Sequence, residues 1–417
     1  MSDRIAPLLD LETSWVERMR THLRGLPPEL TDLVLHLADA GTFWDWHYKM
    51  DQVWKRRTRE LLKADGARDL VATGIRELAH GGSLHDRTEP VLTRQMLRDS
   101  GKKTQAQALA FGLALAAGQA GGRGASEEQR AALIEDLVTV ARKNGGVLDG
   151  FYRTDTELVA AAVTSLGELS AMEELFTLQR EVQPGVLCQR YLVKVVKKTA
   201  KRLQVPDHEL EERTVATGGL DDNGTLHLGW IGQGAVWLNV PFEAVIQVHD
   251  DYTVTMEWID VDRDRASTVT RSPFTSPRGF KERYLPQNVD GARRRATMVH
   301  DLVQGERRRL LALSVQDRVW PYGEWARCYR DHPLTGRMTR ALAWQYETSD
   351  GLWHTGLPDK DTFRLLDGST VDVPTAARIR LWNAERAEPQ EAALIRGRLD
   401  ELGLPRQPYG QLLTQAP

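Results

Sequence analysis

The chain has 417 residues, of which 41% are hydrophobic and 27% are charged, and its formal net charge is −3 at pH 7. This length allows two or three domains with their own cores, and the composition excludes disorder for the bulk of the chain. The slight negative charge does not support a protein that coats nucleic acid over its whole surface.

The cysteines and apolar segments bear on where the protein works. Two cysteines occur, Cys188 and Cys328, too few for a disulfide scaffold and without a paired zinc motif. The N-terminal residues lack the pattern of a signal peptide. The longest apolar stretch, residues 108–117, is too short for a membrane helix, which needs about 20 residues. We therefore expect a soluble cytoplasmic protein that does not enter the membrane.

The first part of the chain predicts one helix after another. Apolar residues recur at helical spacing in five segments, residues 11–23, 29–38, 44–62, 67–78 and 104–117. Proline and glycine pairs separate several of these segments and indicate the intervening turns.

A capping box predicts the start of the next helix. The Ser126 side chain can accept a hydrogen bond from a free backbone N–H, and Gln129 can reach back to the start of the helix. Further helices are predicted near residues 154–169 and 187–203. Long helices joined by short loops favour a helical-repeat domain over residues 1–203, either a HEAT-like array or an irregular α-solenoid.

The pattern changes to strands after Gly218. Asp222, Asn223 and Gly224 form a turn signal, because asparagine and glycine tolerate positive φ. Rough alternation of apolar and polar residues then predicts a small antiparallel sheet. Its strands are predicted at residues 225–230, 235–240, 244–248 and 253–259.

A mixed region of helices and strands follows. Residues 262–286, rich in arginine, serine and proline, predict a loop or linker, and residues 292–314 a long helix with many arginines on one side. Strands are predicted at residues 342–346, 362–366 and 379–382, and a closing helix at residues 389–402. The fold class predicted for the whole chain is α+β, predominantly α, with a second domain over residues 204–417.

Several short landmarks follow one another in the second half of the chain, and none is a catalytic motif. Their residues are Gly219, Asp221 and Gly224 of a Gly-Leu-Asp-Asp-Asn-Gly turn, Arg318 and Trp320, His332 and Pro333, Trp344, Phe363 and Arg364, Trp382, and Gln407, Pro408 and Gln411. In this order they resemble the family called domain of unknown function 4132, which includes the MolR-like proteins named as regulators of molybdate metabolism. The resemblance covers about residues 200–411, and it implies that the landmark residues have structural roles.

The resemblance also implies partners. Related proteins are associated with MoxR-type AAA ATPases and von Willebrand A-type proteins as adaptors. Asn383 and Ala384 replace a His-Pro pair of the family pattern, and Thr414 stands where an arginine is expected. Longer members continue into a further domain, so we expect a short or divergent member.

Three His-Asp pairs are the candidates for metal chemistry, since imidazole and carboxylate together can ligate divalent ions. They are His85-Asp86, His249-Asp250 and His300-Asp301. Dipeptides of this kind also arise by chance and serve as solvated or capping residues. We predict no catalytic residue, no metal site and no cofactor.

Two groups of residues are candidates for binding a partner. Trp44 and Trp46 precede a basic run, and aromatic rings beside arginines can stack on bases or pack helices together. Arg293, Arg294, Arg307 and Arg308 lie on the long helix, where they form either a solvated face or an electrostatic docking surface. A further basic tract runs over residues 194–202.

These observations support three hypotheses. The first is a non-enzymatic scaffold or adaptor that binds protein partners through its helical array. The alternative is a nucleic-acid-binding regulatory protein, suggested by the basic tracts and tryptophans. The second alternative is a metal-dependent hydrolase that uses the His-Asp pairs.

Overall fold

The computed structural model describes most of the chain. The described residues are 4–9, 12–40, 51–82, 84, 104–145, 153–181, 187–228, 242–249, 252–260, 286–314, 316–360, 362–383, 387–401 and 403. The chain divides into two compact units, Met1–Thr214 and Val215–Pro417.

The first unit is helical throughout its described part. Its helices are α1 Ser14–His22, α2 Pro28–Ala38, α3 Gln52–Leu61, α4 Ala67–Arg76, α5 Gln105–Ala120, α6 Glu127–Gly145, α7 Arg153–Glu168, α8 Met172–Glu181, α9 Leu187–Leu203 and α10 Asp207–Arg213, with a 3-10 turn at Ala6–Leu8 and a π-helical turn at Glu77–Gly81. The predicted capping box is confirmed, because the Gln129 N–H donates to Ser126 Oγ at 3.1 Å and the Ser126 N–H to Gln129 Oε1 at 3.0 Å.

Helix α5 lies at the centre of this unit. It is apolar on nearly all sides and packs against α2, α4 and α7, as expected of a helix inside a core. Gly112 allows the closest approach, since a Cβ atom there would lie 2.0 Å from the Leu37 carbonyl oxygen. Ser165 of α7 donates to the Ala114 carbonyl at 2.6 Å. The unit is therefore held together by close backbone contact as well as by apolar side chains.

Helix α10 packs with the first unit. Arg213 forms ion pairs with Glu173 of α8 and with Glu209, and its guanidinium lies 4.8 Å from the centre of the Phe176 ring. The division after Thr214 keeps α10 with these partners, whereas the sequence-based boundary after residue 203 assigns it to the second domain.

The second unit combines helices with strands. Its strands are β1 Thr225–Leu228, β2 Phe242–Val248, β3 Val254–Asp260, β4 Val319–Pro321, β5 Trp344–Glu347, β6 Trp353–Asp359, β7 Thr362–Leu365, β8 Thr370–Asp372 and β9 Arg378–Leu381. Its helices are α11 Pro286–Ser314, α12 Tyr322–Trp325, α13 Thr335–Arg340 and α14 Pro389–Glu401, with a π-helical turn at Ala326–Arg330. The predominantly helical α+β class predicted from sequence is thus confirmed at this level.

The strands form two antiparallel sheets where the sequence predicts one small sheet. A three-stranded sheet has the order β1-β2-β3, and a six-stranded sheet has the order β4-β9-β5-β6-β7-β8. The predicted strand at residues 235–240 and the predicted linker up to residue 285 lie outside the described residues.

The sequence pattern does not predict strand β6, because the strand contains Gly356 and Pro358. Both residues weaken a strand signal in sequence. In the sheet, Gly356 lets β7 approach, since a Cβ atom there would lie 2.8 Å from the Arg364 carbonyl oxygen. Pro358 lies opposite Phe363 in the same ladder.

Helix α11 packs against β3, and it has one continuous buried side that is apolar except for Glu306. The buried residues of this side recur at alternating spacings of three and four, the pattern of a helix with one buried face. They are Ala292, Ala296, Val299, Val303, Glu306, Leu310 and Leu313. None of the described helices has both the length and the apolar character that a membrane crossing requires.

Candidate functional site

The Gly-Leu-Asp-Asp-Asn-Gly landmark forms the turn that leads into β1. The Asp221 carboxylate accepts hydrogen bonds from the N–H groups of Asn223 at 2.9 Å and Thr225 at 2.8 Å. Gly219 and Gly224 have φ values of 78° and 70°, which a residue with a Cβ atom rarely adopts. Asp221 and the two glycines therefore stabilise the conformation of this turn.

Arg337 of α13 covers this turn. Its guanidinium donates to the Asn223 carbonyl. A Cβ atom at Gly224 would lie 2.3 Å from Arg337 Nε, so only glycine leaves room for the arginine. The turn and α13 are thus fixed to each other within the second unit.

His332 caps the start of α13. Pro333 has no N–H, so the first free donors belong to Leu334 and Thr335, and both donate to His332 Nδ1 at 3.2 Å. Because Nδ1 accepts, the ring hydrogen lies on Nε2, which donates to the Val215 carbonyl at 3.0 Å. His332 is 3% exposed, and these contacts leave neither ring nitrogen for acid–base chemistry.

Trp320, Trp344 and Phe363 lie in the core of the six-stranded sheet. Trp344 is fully buried, its ring centre lies 5.8 Å from that of Trp320, and its indole N–H donates to the Thr339 carbonyl at 3.1 Å. The Arg318 guanidinium lies 5.4 Å from the centre of the Trp320 ring, and burial lowers the pKa of Arg318. We call the side of the sheet that carries these rings the inner face.

Arg364 and Trp382 are the remaining landmark residues on described strands or next to them. Arg364 forms an ion pair with Asp359 at 3.1 Å. Trp382 is 1% exposed and packs under α14 with Leu357 and Ile395. Both contacts serve the fold of the second unit.

A buried polar network joins α11 to residues in the π-helical turn and in α13. Arg309 donates to Glu306 at 2.8 Å and to the Tyr329 hydroxyl at 3.0 Å, and the Thr335 hydroxyl donates to Glu306 at 3.2 Å. Burial alone would lower the pKa of Arg309, but Tyr329 and Glu306 outweigh this effect and raise it. Arg309 is therefore a paired structural cation.

Two of the arginines predicted to bind a partner are engaged by neighbours. Arg293 lies 3.5 Å from the Asp290 carboxylate. Arg307 donates to Gln304 at 3.4 Å, and its guanidinium lies 5.7 Å from the centre of the Tyr252 ring. Arg293 is thus paired within α11, and Arg307 is held against Tyr252 of the second unit.

Arg294 and Arg308 are exposed. They are fourteen residues apart on α11, about 21 Å along the helix axis. The exposed Asp301 lies midway between them on nearly the same side. The structure thus separates the four arginines into an engaged pair and an exposed pair, and the exposed side of α11 carries mixed charge.

Several predicted residues lie outside the described part of the chain. These are Trp44, Trp46, Gln407, Pro408 and Gln411. The first of the His-Asp pairs, His85-Asp86, also lies outside it. His249 contacts the Thr255 hydroxyl at 2.6 Å, and His300-Asp301 lies on α11. Within the described ranges, no group of three or more His, Cys, Asp and Glu residues is placed to hold a metal ion.

The opposite side of the six-stranded sheet carries polar groups that none of the landmarks includes. We call this side, as defined by Gln345, Glu347, Trp353, Thr355, Arg378 and Arg380, the outer face. Alternation along β5 and β9 sets it apart from the inner face, since neighbouring residues of a strand point to opposite sides. Helix α14 covers the adjoining apolar part of this side through Ala343, Leu357 and Trp382.

Arg380 stacks on Trp353 at the centre of the outer face. The guanidinium carbon lies 4.0 Å from the ring centre, well within the range of a cation–π interaction. Arg380 Nε also donates to Gln345 Oε1 at 2.7 Å, which fixes the plane of the guanidinium. Arg378 is exposed beside this stack, and its ion pair with Glu347 lowers the pKa of that carboxyl.

The hydrogen bonds continue from Arg380 towards α14. Gln345 donates to the Thr355 hydroxyl at 2.9 Å, and Thr355 donates to Glu391 of α14 at 2.5 Å. Residues of three neighbouring strands and one helix thus form a continuous polar chain, which holds the Arg380–Trp353 stack in place.

A cleft of about 60 Å³ lies where this polar chain meets α14, lined by residues that include Asp317, Gln345, Arg380, Asn383 and Glu391. Small-molecule sites usually measure about 300 to 1,000 Å³. The cleft has room for a few water molecules or for the tip of one side chain. Its polar lining and small size suit the anchoring of a partner's side chain better than the binding of a metabolite.

The sequence contains a signal for this surface. Arg378-Ile379-Arg380-Leu381 alternates charged and apolar residues, which predicts a strand with one buried and one accessible side. The pairing of Trp353 with Arg380 depends on three strands coming together, and no local pattern reveals it.

The match to known proteins falls on the part of the chain that carries this sheet. Residues 286–416 match the model of a family described as "Domain of unknown function (DUF4132)". No curated protein and no solved structure matches the chain. The matched range begins at the first residue of α11, whereas the turn at Gly219–Gly224 lies before it. The resemblance predicted over residues 200–411 is therefore confirmed from residue 286 onward, and this part of the chain matches a domain of unknown function.

Proposed function

We propose that the chain is a non-enzymatic scaffold or adaptor that binds a protein partner through the outer face. The observation that supports this most directly is the Arg380–Trp353 stack beside the small polar cleft. Tryptophan and arginine dominate the residues that carry binding energy in protein interfaces. Here the pair is held rigid by Gln345 and Thr355, so little side-chain entropy would be lost on binding.

The contacts of the landmark residues agree with this proposal. Asp221 and His332 satisfy backbone donors, and Trp344 fills the core, so these side chains are engaged in the fold. The outer face supplies accessible groups for recognition.

The resemblance suggests which partners to expect. We propose a MoxR-type AAA ATPase or a von Willebrand A-type protein, and the MolR-like regulatory role remains part of this proposal. The HEAT-like or irregular α-solenoid array predicted for residues 1–203 stays a prediction, as does its role in presenting Trp44 and Trp46 to a partner.

Affinity capture with matched variants tests the proposal. The tagged full-length chain is incubated with cytosol from its native cells, with and without nuclease, and captured proteins are quantified by mass spectrometry. The double variant Trp353→Ala/Arg380→Ala removes the stack, and Arg24→Gln/Arg123→Gln is the control, with exposed charges removed in the first unit.

We expect an AAA ATPase or von Willebrand A-type protein to be captured by the wild type and the control, with or without nuclease. The outer-face variant should lose at least nine-tenths of that protein, as expected when hot-spot residues worth about 2 kcal/mol or more are truncated. Equal capture by the outer-face variant would contradict the proposal. Capture that disappears with nuclease would favour the nucleic-acid-binding alternative.

A further inference from the structure

Helix α9 in the first unit exposes a row of basic side chains. Arg190, Lys194, Lys197, Lys198 and Lys201 are all exposed, and we call them the basic stripe. Their spacing places them within about 100° of the helix circumference and along about 16 Å of its axis. The helix contains no acidic residue, so nothing within α9 offsets this charge.

The opposite side of α9 is buried in the first unit. Cys188, Tyr191, Leu192, Val196 and Ala200 are each at most 6% exposed, and α9 packs against α7 and α8. The apolar side is therefore occupied, and the basic stripe faces outward on a helix fixed by its core contacts.

The arrangement works against the stability of the helix itself. Lys197 and Lys198 lie four and three residues from Lys201 along the helix, the spacing at which like charges repel each other. A bound polyanion would remove this repulsion. The stripe is therefore complementary in charge to a ligand with closely spaced negative charges.

We infer that the basic stripe binds the phosphate backbone of double-stranded nucleic acid, independently of base sequence. A duplex carries one negative charge per about 1.7 Å of its axis, so it can face every cation of the stripe. Lysine binds phosphate as a point charge. None of the described exposed side chains of α9 is aromatic, and Tyr191 is buried; the helix thus presents no ring to stack on unpaired bases, which favours a duplex over a single strand.

Two other anionic partners fit the stripe less well. Acidic protein surfaces are usually met by arginine, which is enriched at protein interfaces while lysine is depleted, and four of the five stripe residues are lysines. A helix that binds at a membrane surface inserts its apolar side among the lipids, but that side of α9 is buried in the first unit.

The salt dependence of duplex binding tests this inference. The full-length wild type is titrated onto a short fluorescein-labelled DNA duplex of mixed sequence, and anisotropy is measured from about 50 to about 200 mM salt. The test variant is Lys197→Gln/Lys201→Gln. The control is Arg24→Gln/Arg123→Gln, which removes the same charge from exposed positions elsewhere in the first unit. Circular dichroism verifies that both variants keep the wild-type helix content.

The wild type should bind the duplex with a steep loss of affinity as salt rises. Each phosphate contact contributes about 0.9 to the slope of log affinity against log salt, so the test variant should lose about 2 of that slope. Its affinity at the lowest salt should fall about tenfold or more, whereas the control should match the wild type.

Three results would overturn the inference. The first is that the wild type does not bind the duplex at the lowest salt. The second is that log affinity falls with log salt at the same slope in the wild type and in the test variant. The third is that the wild type binds polyglutamate, or vesicles containing phosphatidylserine, more tightly than the duplex. None of these results bears on the outer face, because the variants leave Trp353 and Arg380 intact.

Discussion

The two faces of the six-stranded sheet use the same residue type in different ways. Trp344 of β5 points to the inner face, where it is fully buried among aromatic rings and its indole N–H is satisfied. Trp353 of the adjacent strand β6 points to the outer face, where it is only half-buried and lies beneath Arg380. Inner-face packing accounts for the role of Trp344 in the fold, whereas fold stability alone does not require the arginine stack on Trp353.

The aromatic landmark residues on the strands lie on the inner face, whereas the stacked pair on the outer face belongs to no landmark. Trp320, Trp344 and Phe363 belong to landmarks, and all three lie in the inner core. Trp353 and Arg380 belong to no landmark. The landmark residues therefore describe the architecture of the second unit, and its function is better sought among the outer-face residues that belong to no landmark.

Replacing each tryptophan by alanine should give the largest difference in stability between the two faces. Trp344→Ala should lower the free energy of unfolding of the second unit by about 3 to 5 kcal/mol, because it opens a large cavity in the core. Trp353→Ala should cost less, about 1 to 2 kcal/mol, because part of the ring is already in contact with water. Hydrogen exchange followed by mass spectrometry, read on peptides from β5 to β9, measures the second unit separately. Equal costs would contradict the distinction between the faces.

Removing the cap of α13 should give the next largest effect. His332→Leu keeps the side-chain volume close but leaves the N–H groups of Leu334 and Thr335 without their acceptor, so we expect a cost of about 2 to 3 kcal/mol. Amide hydrogen exchange should become faster in α13 before it becomes faster in the other elements of the second unit. His354→Leu, at a half-buried position on β6, is the control and should cost less than about 1 kcal/mol. A stable His332→Leu variant would show that the cap is dispensable.

The polar chain of the outer face should contribute less. Thr355→Val preserves shape but removes the hydroxyl that donates to Glu391 and accepts from Gln345. We expect the free energy of unfolding of the second unit to fall by about 1 to 2 kcal/mol, measured by hydrogen exchange on the same peptides. Thr370→Val on β8 removes an exposed hydroxyl and should change stability by no more than about 0.5 kcal/mol. If both variants behave alike, the polar chain does not stabilise the outer face.

Acid should weaken the outer face slightly through Glu347. Its ion pair with Arg378 lowers the carboxyl pKa in the folded state, so the stabilisation is present at neutral pH. It is lost as the pH falls below the ordinary range of glutamate through the folded-state pKa. In urea unfolding, Glu347→Gln should differ from the wild type at about pH 6 and converge with it at about pH 3. A constant difference across this range would rule out the ion pair as the cause.

The sequence predicts elements well where the determining contacts are local. The capping box at Ser126 and the turn with the left-handed Gly224 are read from a few adjacent residues. The long helix α11 is visible from the regular spacing of its apolar residues. Each of these depends on groups within one or two helical turns, which a single sequence displays directly.

The elements that sequence reasoning missed depend on partners distant in the chain. Strand β6 contains Gly356 and Pro358, and it forms a strand because β5 and β7 pair with it on both sides. The landmark residues could be named in advance, but their contacts could not. The Arg380–Trp353 stack joins β9 to β6 across β5, so it becomes visible only once the strand order is known.

Binding of the purified partner to two tryptophan variants is the most direct test of whether the outer face is the binding surface. Isothermal titration calorimetry would compare the wild type with Trp353→Ala and with Trp344→Phe, which keeps an aromatic ring in the core. We predict that Trp353→Ala weakens binding about 30-fold or more, while Trp344→Phe binds the partner like the wild type. Unchanged affinity in Trp353→Ala, with the fold intact, would contradict the assignment of the outer face as the binding surface.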